Sequence, residues 1–288
     1  MNLKKLSSYL LFLSLFASNF CAYASKSQKI TEKHIVVVTA SYKNKDWYKR
    51  NIASFATQNY QNKTMIYVDD KSPDGTGDLV EQLIKEKNIE DQVILIKNKE
   101  RIGALANQYK AIHSCKDDDI IVILDGDDFF AHENVLSRVN EIYQDENVWL
   151  TYGQFKHLSN NRAGFCRPMP EKVVKNNSFR SYVHIPSHLR TFYAGLFKKI
   201  KTEDLMYEGD FLKMTGDIAA MFPMIEMARE GHFKFISEIL LLYNDLNSLN
   251  DHKVSRKLQR NLDLLIRSRK KYEPVESPFT NQKAQEKI

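Results

Sequence analysis

Three aspartates fall within four positions at Asp125-Gly126-Asp127-Asp128, directly after the apolar run Ile120-Ile121-Val122-Ile123-Leu124. Adjacent carboxylates repel one another unless a cation or a cationic side chain compensates, and hard oxygen donors of this kind suit Mg²⁺ or Mn²⁺. A short β-branched run with polar flanks reads as a buried parallel strand, and ligands of open α/β sheets bind just beyond such strand ends. A solvated acidic turn is the plainer reading of the same residues, so the elements around them decide.

Those elements alternate. From His34 onward, Ile35 to Val38 reads as a strand, and Tyr48, Ile52, Phe55 and Ala56 then share one face of a helix. Met65 to Val68 forms a second strand, Pro73-Asp74-Gly75 a turn, and Leu79, Val80, Leu83 and Ile84 a second helix. Val93 to Ile96, a helix through Leu105, Tyr109 and Ile112, the strand Ile120 to Leu124, and a helix through Val135, Leu136, Val139 and Ile142 follow, with a further strand at Val148 to Tyr152. Repeated βα units predict a mostly parallel sheet with helices on both faces, over residues 32–155.

The pattern loosens over 156–186, where Asn160-Asn161, Pro168, Pro170, Asn176-Asn177 and Pro186 favour loops suited to shaping a substrate site. Order returns near Leu189. Ile218 to Arg229 reads as a helix that Pro223 kinks or restricts, Phe233 to Tyr243 as a strand, and Leu258, Leu262, Leu265 and Ile266 as a closing amphipathic helix. The second half thus runs over 156–272, and the polar stretch 273–288, with two prolines, reads as a loose tail.

Four strand ends carry distinctive groups: Thr39-Ala40-Ser41, Asp69-Asp70, the stretch leading to Arg101, and the aspartate cluster. Parallel strands gather all four at one edge of the sheet, whereas unrelated polar residues would fall on both.

Taken together, the segments Thr39-Ala40-Ser41-Tyr42-Lys43-Asn44, Ser54 to Tyr60, Val68 to Thr76, Arg101 to Asn107 and Asp125 to Asp128 make the chain resemble an inverting GT-A glycosyltransferase of the family-2 type over residues 34–155. The resemblance implies a Rossmann-like fold that holds a nucleotide-sugar donor, UDP-linked by preference, with Mn²⁺ or Mg²⁺. Thr39, Ala40 and Ser41 would line the donor, Asp70 would accept a hydrogen bond from the base, and Arg101 would lie near base and phosphates. Asp125 would face the ribose and Asp127 a metal bridging the diphosphate, with Asp128 beside it as a second metal residue or as the group that orients Asp127. Turn capping is the structural alternative for Asp70, and a solvated surface position for Arg101.

Inversion requires a carboxylate to take the acceptor's proton on the sugar face opposite the leaving group. The resemblance places that base at Asp217, in Met214-Thr215-Gly216-Asp217-Ile218, with Gly216 standing where the family has the first of two carboxylates. Asp in the first turn of a helix is favoured by the macrodipole whatever its function, and Glu203, Asp204, Glu208 and Asp210 are competitors. His252 stands where some enzymes of this fold supply a third metal ligand, although a surface histidine explains it too. Phe192-Tyr193 and Phe197 read as core, with a sugar-stacking platform as the other possibility.

Composition bounds the rest. At 288 residues, 43% hydrophobic and 27% charged, with a net charge of +6 spread among acids, the chain reads as globular and not as a nucleic-acid binder. The partners expected are the donor and a glycan, protein or lipid acceptor. Residues 39–46 contain no glycine, which excludes a dinucleotide-binding turn, and an aspartyl phosphohydrolase would place its acids after the first strand, not the fourth. A noncatalytic nucleotide-sugar or glycan-binding module is the reading that Gly216 favours.

Lys4 and Lys5, the apolar stretch Leu10 to Phe16, and Ala22-Tyr23-Ala24 form a secretory signal pattern over 1–24, with cleavage expected after Ala24. The alternative is an uncleaved membrane anchor, and membrane association is expected only through this segment. Cys115 and Cys166, left after cleavage, match no redox or zinc spacing and read as buried thiols.

Overall fold

The computed structural model describes residues 31–249 and 251–280; the side chains of 251 and 252 and the expected signal segment lie outside the described residues. In chain order the strands are β1 (Ile35–Ser41), β2 (Lys63–Asp69), β3 (Val93–Lys97), β4 (Ile120–Ile123), β5 (Phe129–Phe130), β6 (Leu150–His157), β7 (Arg190–Tyr193), β8 (Met206–Tyr207), β9 (Asp210–Phe211) and β10 (Phe233–Tyr243). The helices are α1 (Tyr48–Ala56), α2 (Thr76–Lys87), α3 (Ala104–His113), α4 (Val135–Ile142), α5 (Glu171–Lys175), α6 (Ala194–Lys198), α7 (Gly216–Met227), α8 (Asp251–Val254) and α9 (Arg256–Ser268).

Eight strands form one sheet in the order β3-β2-β1-β4-β7-β6-β10-β5. The four N-terminal strands are parallel, as the βα repeat requires, with Val38 opposite both Ile66 and Ile123. Ile120, Ile121, Val122 and Ile123 are all buried, consistent with a central strand covered on both faces. The architecture is the α/β, GT-A-like sheet expected from the sequence.

The strand β7 breaks the parallel run. It pairs antiparallel with β4 on one side, Ile123 facing Arg190, and antiparallel with β6 on the other. The next strand, β10, runs parallel to β6, so its C-terminal end returns to the rim where β4 ends. Two reversals therefore bring the start of β7 and the ends of β6 and β10 to the rim already occupied by the ends of β1, β2 and β4.

Three details differ from expectation. Expected at 148–152, the strand β6 extends to His157, where it pairs with Tyr243. Pro223 lies inside α7, beyond its first turn. Residues 273–280 are held to the body rather than loose: Val275 donates its N–H to the Met227 carbonyl at 3.2 Å and Thr280 donates its own to Asp117 Oδ2 at 3.0 Å. The aromatic trio is core, since Phe192, Tyr193 and Phe197 are all buried and the Phe192 and Phe197 rings stack at 5.8 Å. Both cysteines are free, Cys166 buried and Cys115 half-buried, and burial pushes their thiols up to about 12 and about 11.

Candidate active site at the carboxyl rim of the sheet

A cavity of about 800 Å³ opens at this rim. Ala40, Ser41, Asp70, Arg101, all four residues of Asp125 to Asp128, and Asp217 line it, which joins two regions of the sequence in one site. Thr39 does not: it is fully buried within β1, opposite Tyr67, and is not among the lining residues.

The acidic loop is fixed from behind by α1. Asn51 Nδ2 donates to the main-chain carbonyls of Asp125 at 3.0 Å and Asp128 at 2.8 Å, and the Asp128 N–H closes a turn onto the Asp125 carbonyl. Gly126 must lack a side chain, because a Cβ there would collide with Asn44 Nδ2 and the Ser41 side chain. Asp128 is buried, with Oδ1 accepting the Asn244 N–H at 2.8 Å and Oδ2 left without a partner. Burial, reinforced by the charges of Asp127 and Asp125, holds its carboxyl well above the usual range.

Asp127, the expected metal residue, also lines the cavity and accepts a hydrogen bond from Asn247 Nδ2 at 2.7 Å. Burial pushes its carboxyl up to about 6; Asn247 opposes the rise and Asp125 adds to it. The ligand-capable atoms that converge are those of Asp125, Asp128 and His188, all within 4.8 Å of one another. His188 was not anticipated. It lies two residues before β7, and the antiparallel pairing with β4 is what brings it to the acids.

Arg190, at the start of β7, donates from Nη2 to Asp125 Oδ2 at 3.2 Å and supplies the compensating cationic side chain. The donor set nevertheless fits a divalent ion: Asp128 Oδ2 and His188 Nδ1 are both buried with no hydrogen-bond partner, and carboxylate oxygens with a neutral imidazole nitrogen are donors that divalent metals take. Burial and the nearby Arg190 push the His188 imidazole down to about 4, which leaves it neutral and able to ligate at pH 7. His252 falls in α8, but its side chain is not among those described.

Asp70 is buried and organises the loop after β3. Its two oxygens accept the Ile102 N–H at 2.9 Å, the Gly103 N–H at 2.8 Å and Asn98 Nδ2 at 2.9 Å. Burial works to raise this carboxyl, yet those hydrogen bonds, with Asn107, outweigh it and leave the carboxyl below its ordinary value. Asp70 thus braces the 98–103 loop that carries Arg101, rather than the adjacent Asp74-Gly75 turn, and it lines the cavity as well. The Arg101 guanidinium stacks on the Tyr42 ring with its carbon 3.7 Å from the centroid, a planar group displayed at the rim.

Asp217 faces the same cavity from the first turn of α7. Thr215 before the helix has φ 59°, an uncommon conformation for a β-branched residue and one that sets the entry angle of Asp217. Gly216 packs closely on α3: a Cβ there would lie 3.2 Å from Leu105 Cβ, a tight contact that a small shift of Leu105 would have to relieve. Burial pushes the Asp217 carboxyl up, but His184, Arg190, the Ile218 N–H and His188 outweigh it and leave it below the ordinary range; the two imidazoles contribute only when protonated, and burial lowers both. His184 Nε2 stands 3.9 Å from Asp217 Oδ2, and neither ring nitrogen has a hydrogen-bond partner.

A mostly parallel α/β sheet with an acidic loop after a central strand and a carboxylate across the cavity defines the GT-A class. The chain belongs to glycosyl transferase family 2, whose family model matches residues 36–200, more than half its length. Among solved structures it is similar in fold to residues 1–349 of S. aureus TarS, with a TM-score of 0.54 and 14% identity over 73% of this chain and 60% of that one. The same TarS fragment solved with UDP-GlcNAc gives a TM-score of 0.56 and 12% identity over 81% of this chain and 65% of that one. This chain spans 36% of the longer TarS chain. Comparison with curated protein sequences gives no match.

Proposed function

We propose that the protein transfers a sugar from a nucleotide-diphosphate donor to an acceptor hydroxyl with inversion, Asp217 acting as the general base. The observation that carries this reading is the convergence of Asp125, Asp128 and His188 with Asp217 on one cavity of about 800 Å³, roomy enough for a nucleotide-sugar. A UDP-sugar is the donor we favour, and TarS, which shares the fold, has been solved with UDP-GlcNAc.

In the proposed reaction the acceptor oxygen attacks the anomeric carbon, its proton passes to an Asp217 carboxylate oxygen, and the bond to the diphosphate breaks with its electron pair leaving on phosphate oxygen. Asp125, Asp128 and His188 would hold a divalent ion, which would supply Lewis-acid stabilisation of the charge on the departing diphosphate. Arg190 keeps Asp125 oriented, and Arg101, braced on Tyr42, offers planar donors and a cationic face to base or phosphate. A noncatalytic binding module is the second reading: Gly216, packed near Leu105, leaves one carboxylate, Asp217, at the start of α7 where a catalytic pair would stand.

The deciding experiment is a turnover screen across UDP- and GDP-sugars with Mn²⁺ and with chelator, run on wild type, Asp128→Asn and Asp217→Asn. The reading predicts turnover by wild type with Mn²⁺ alone and loss of at least roughly 100-fold in either variant. Turnover that survives both substitutions, or none by wild type with any donor, sinks it. We further infer that the N-terminal segment directs export, with cleavage after Ala24; an unprocessed N-terminus on the native protein would leave the anchored alternative.

A further inference from the structure

The segment from Leu246 to Leu264 combines two properties seldom found together on an inert surface. Of eleven large hydrophobic side chains exposed among the described residues, five lie in these nineteen positions, including Leu246 at 55%, Val254 at 56% and Leu264 at 57%. Interleaved with them are Arg256, Lys257 and Arg260, all exposed, and none forms an ion pair among the described residues.

The helical geometry accounts for how they stand. Leu262 and Ile266 form the buried stripe of α9. Lys257, Arg260 and Leu264 are spaced three and four apart and so share one face, more than a quarter-turn away from that stripe. Because the helix's own apolar stripe is buried against the body, the exposed Leu264 beside Lys257 and Arg260 places an apolar side chain and cations together on one solvent-facing patch, both of which a bilayer surface can accept. The patch also adjoins the cavity: Leu249, itself exposed, and Val254 are among its lining residues.

We propose that this surface, formed by the described residues of 246–249 and 253–264, docks the protein on an anionic lipid bilayer, with the cavity mouth beside the membrane. Charge selects the partner's sign, since clustered Arg and Lys gain from anionic headgroups. The exposed leucines and valine select a bilayer over a soluble polyanion, because only a bilayer offers an apolar layer beneath its charge. A second copy of the chain is disfavoured as the occupant, because a two-fold contact would set like charges against each other. The inference does not depend on the proposed reaction, and it gives the protein a membrane contact apart from its N-terminal segment.

The test is co-sedimentation of the full chain with vesicles of phosphatidylglycerol and phosphatidylcholine, against vesicles of phosphatidylcholine alone. Wild type is compared with Arg256→Glu/Lys257→Glu/Arg260→Glu and with Leu258→Ser/Leu264→Ser, with unfolding midpoints measured to verify folding. Wild type should prefer anionic vesicles, the charge-reversed variant should bind them on the order of 100-fold more weakly, and the Ser variant should lose binding that high salt does not restore. Because the N-terminal segment is the same in all three proteins, equal binding by all three overturns the proposal and assigns any affinity to that segment. Loss of preference between the two vesicle types in wild type, with retention on a soluble polyanion or with self-association in ultracentrifugation, overturns it too.

Discussion

A carboxylate that serves as a base needs to be ionised and exposed to its proton donor, and Asp217 meets both needs through its neighbours rather than through its own position. Burial raises this carboxyl, and at neutral pH the fixed charge of Arg190 and the Ile218 N–H oppose the rise, while His184, itself lowered by burial, adds to them only when protonated. Asp217→Asn is therefore expected to lower kcat by roughly 100- to 10,000-fold with little change in the KM for donor, as measured by steady-state kinetics. Unchanged kcat would move the base to another carboxylate. His188 stands differently: with Asp128 it supplies a buried atom that no protein group satisfies. His188→Ala should weaken Mn²⁺ binding by at least roughly 10-fold in calorimetric titration, and an unaltered affinity would remove His188 from the site.

What was legible at this scale followed chemistry that neighbours in sequence can announce. Three acids after a β-branched run suggest a site, and the convergence of the other parallel strand ends on the same rim turned that suggestion into an expectation. His188 carried no such signal: it is a lone histidine about sixty positions further on, joined to the acids only by strand pairing. The one hint was that Ser187-His188-Leu189-Arg190 sets two polar ligand types directly where order returns. Asp127 shows the converse limit, since adjacency could not tell which aspartate turns toward Asn247 and which toward His188.

Among the elements, the βα repeat of the first half was readable because each strand is a β-branched run and each helix keeps its apolar stripe. β7 was not. Its four residues, Arg190 to Tyr193, are too few to show a period, and its reversed direction is set by partners on both sides. The helix α7, which presents Asp217, is secured lower down by a buried ion pair. Arg180 Nε and Nη2 reach Glu226 Oε1 and Oε2 at 2.6 and 2.8 Å, and Arg180 Nη1 also caps the Ile266 carbonyl of α9 at 2.8 Å. Removing one partner strands a charge in the core. Glu226→Ala should cost about 3–5 kcal/mol in urea unfolding, whereas Arg180→Met/Glu226→Leu should cost less. A double variant less stable than the single one contradicts this account.

For the whole molecule, the acidic cluster links pH, cation and stability. Folding raises the carboxyls of Asp127, to about 6, and of Asp128, so the native state keeps protons that the unfolded chain releases above about pH 4. Each such group withdraws stability as pH climbs from about 4 through the native value, and a bound cation offsets the loss by taking the proton's place. Mn²⁺ is accordingly expected to raise Tm by several degrees at pH 7.5 and by much less at pH 5, as followed by calorimetry. An equal rise at both values contradicts it.

The pairing of Ile123 with Arg190 also imposes an order of events during synthesis. A nascent chain that has emerged only as far as residue 155 holds every aspartate of the acidic loop, but neither the guanidinium that neutralises them nor the imidazole beside them. Capacity for substrate thus arises late in translation, when a strand from the second half inserts beside one from the first.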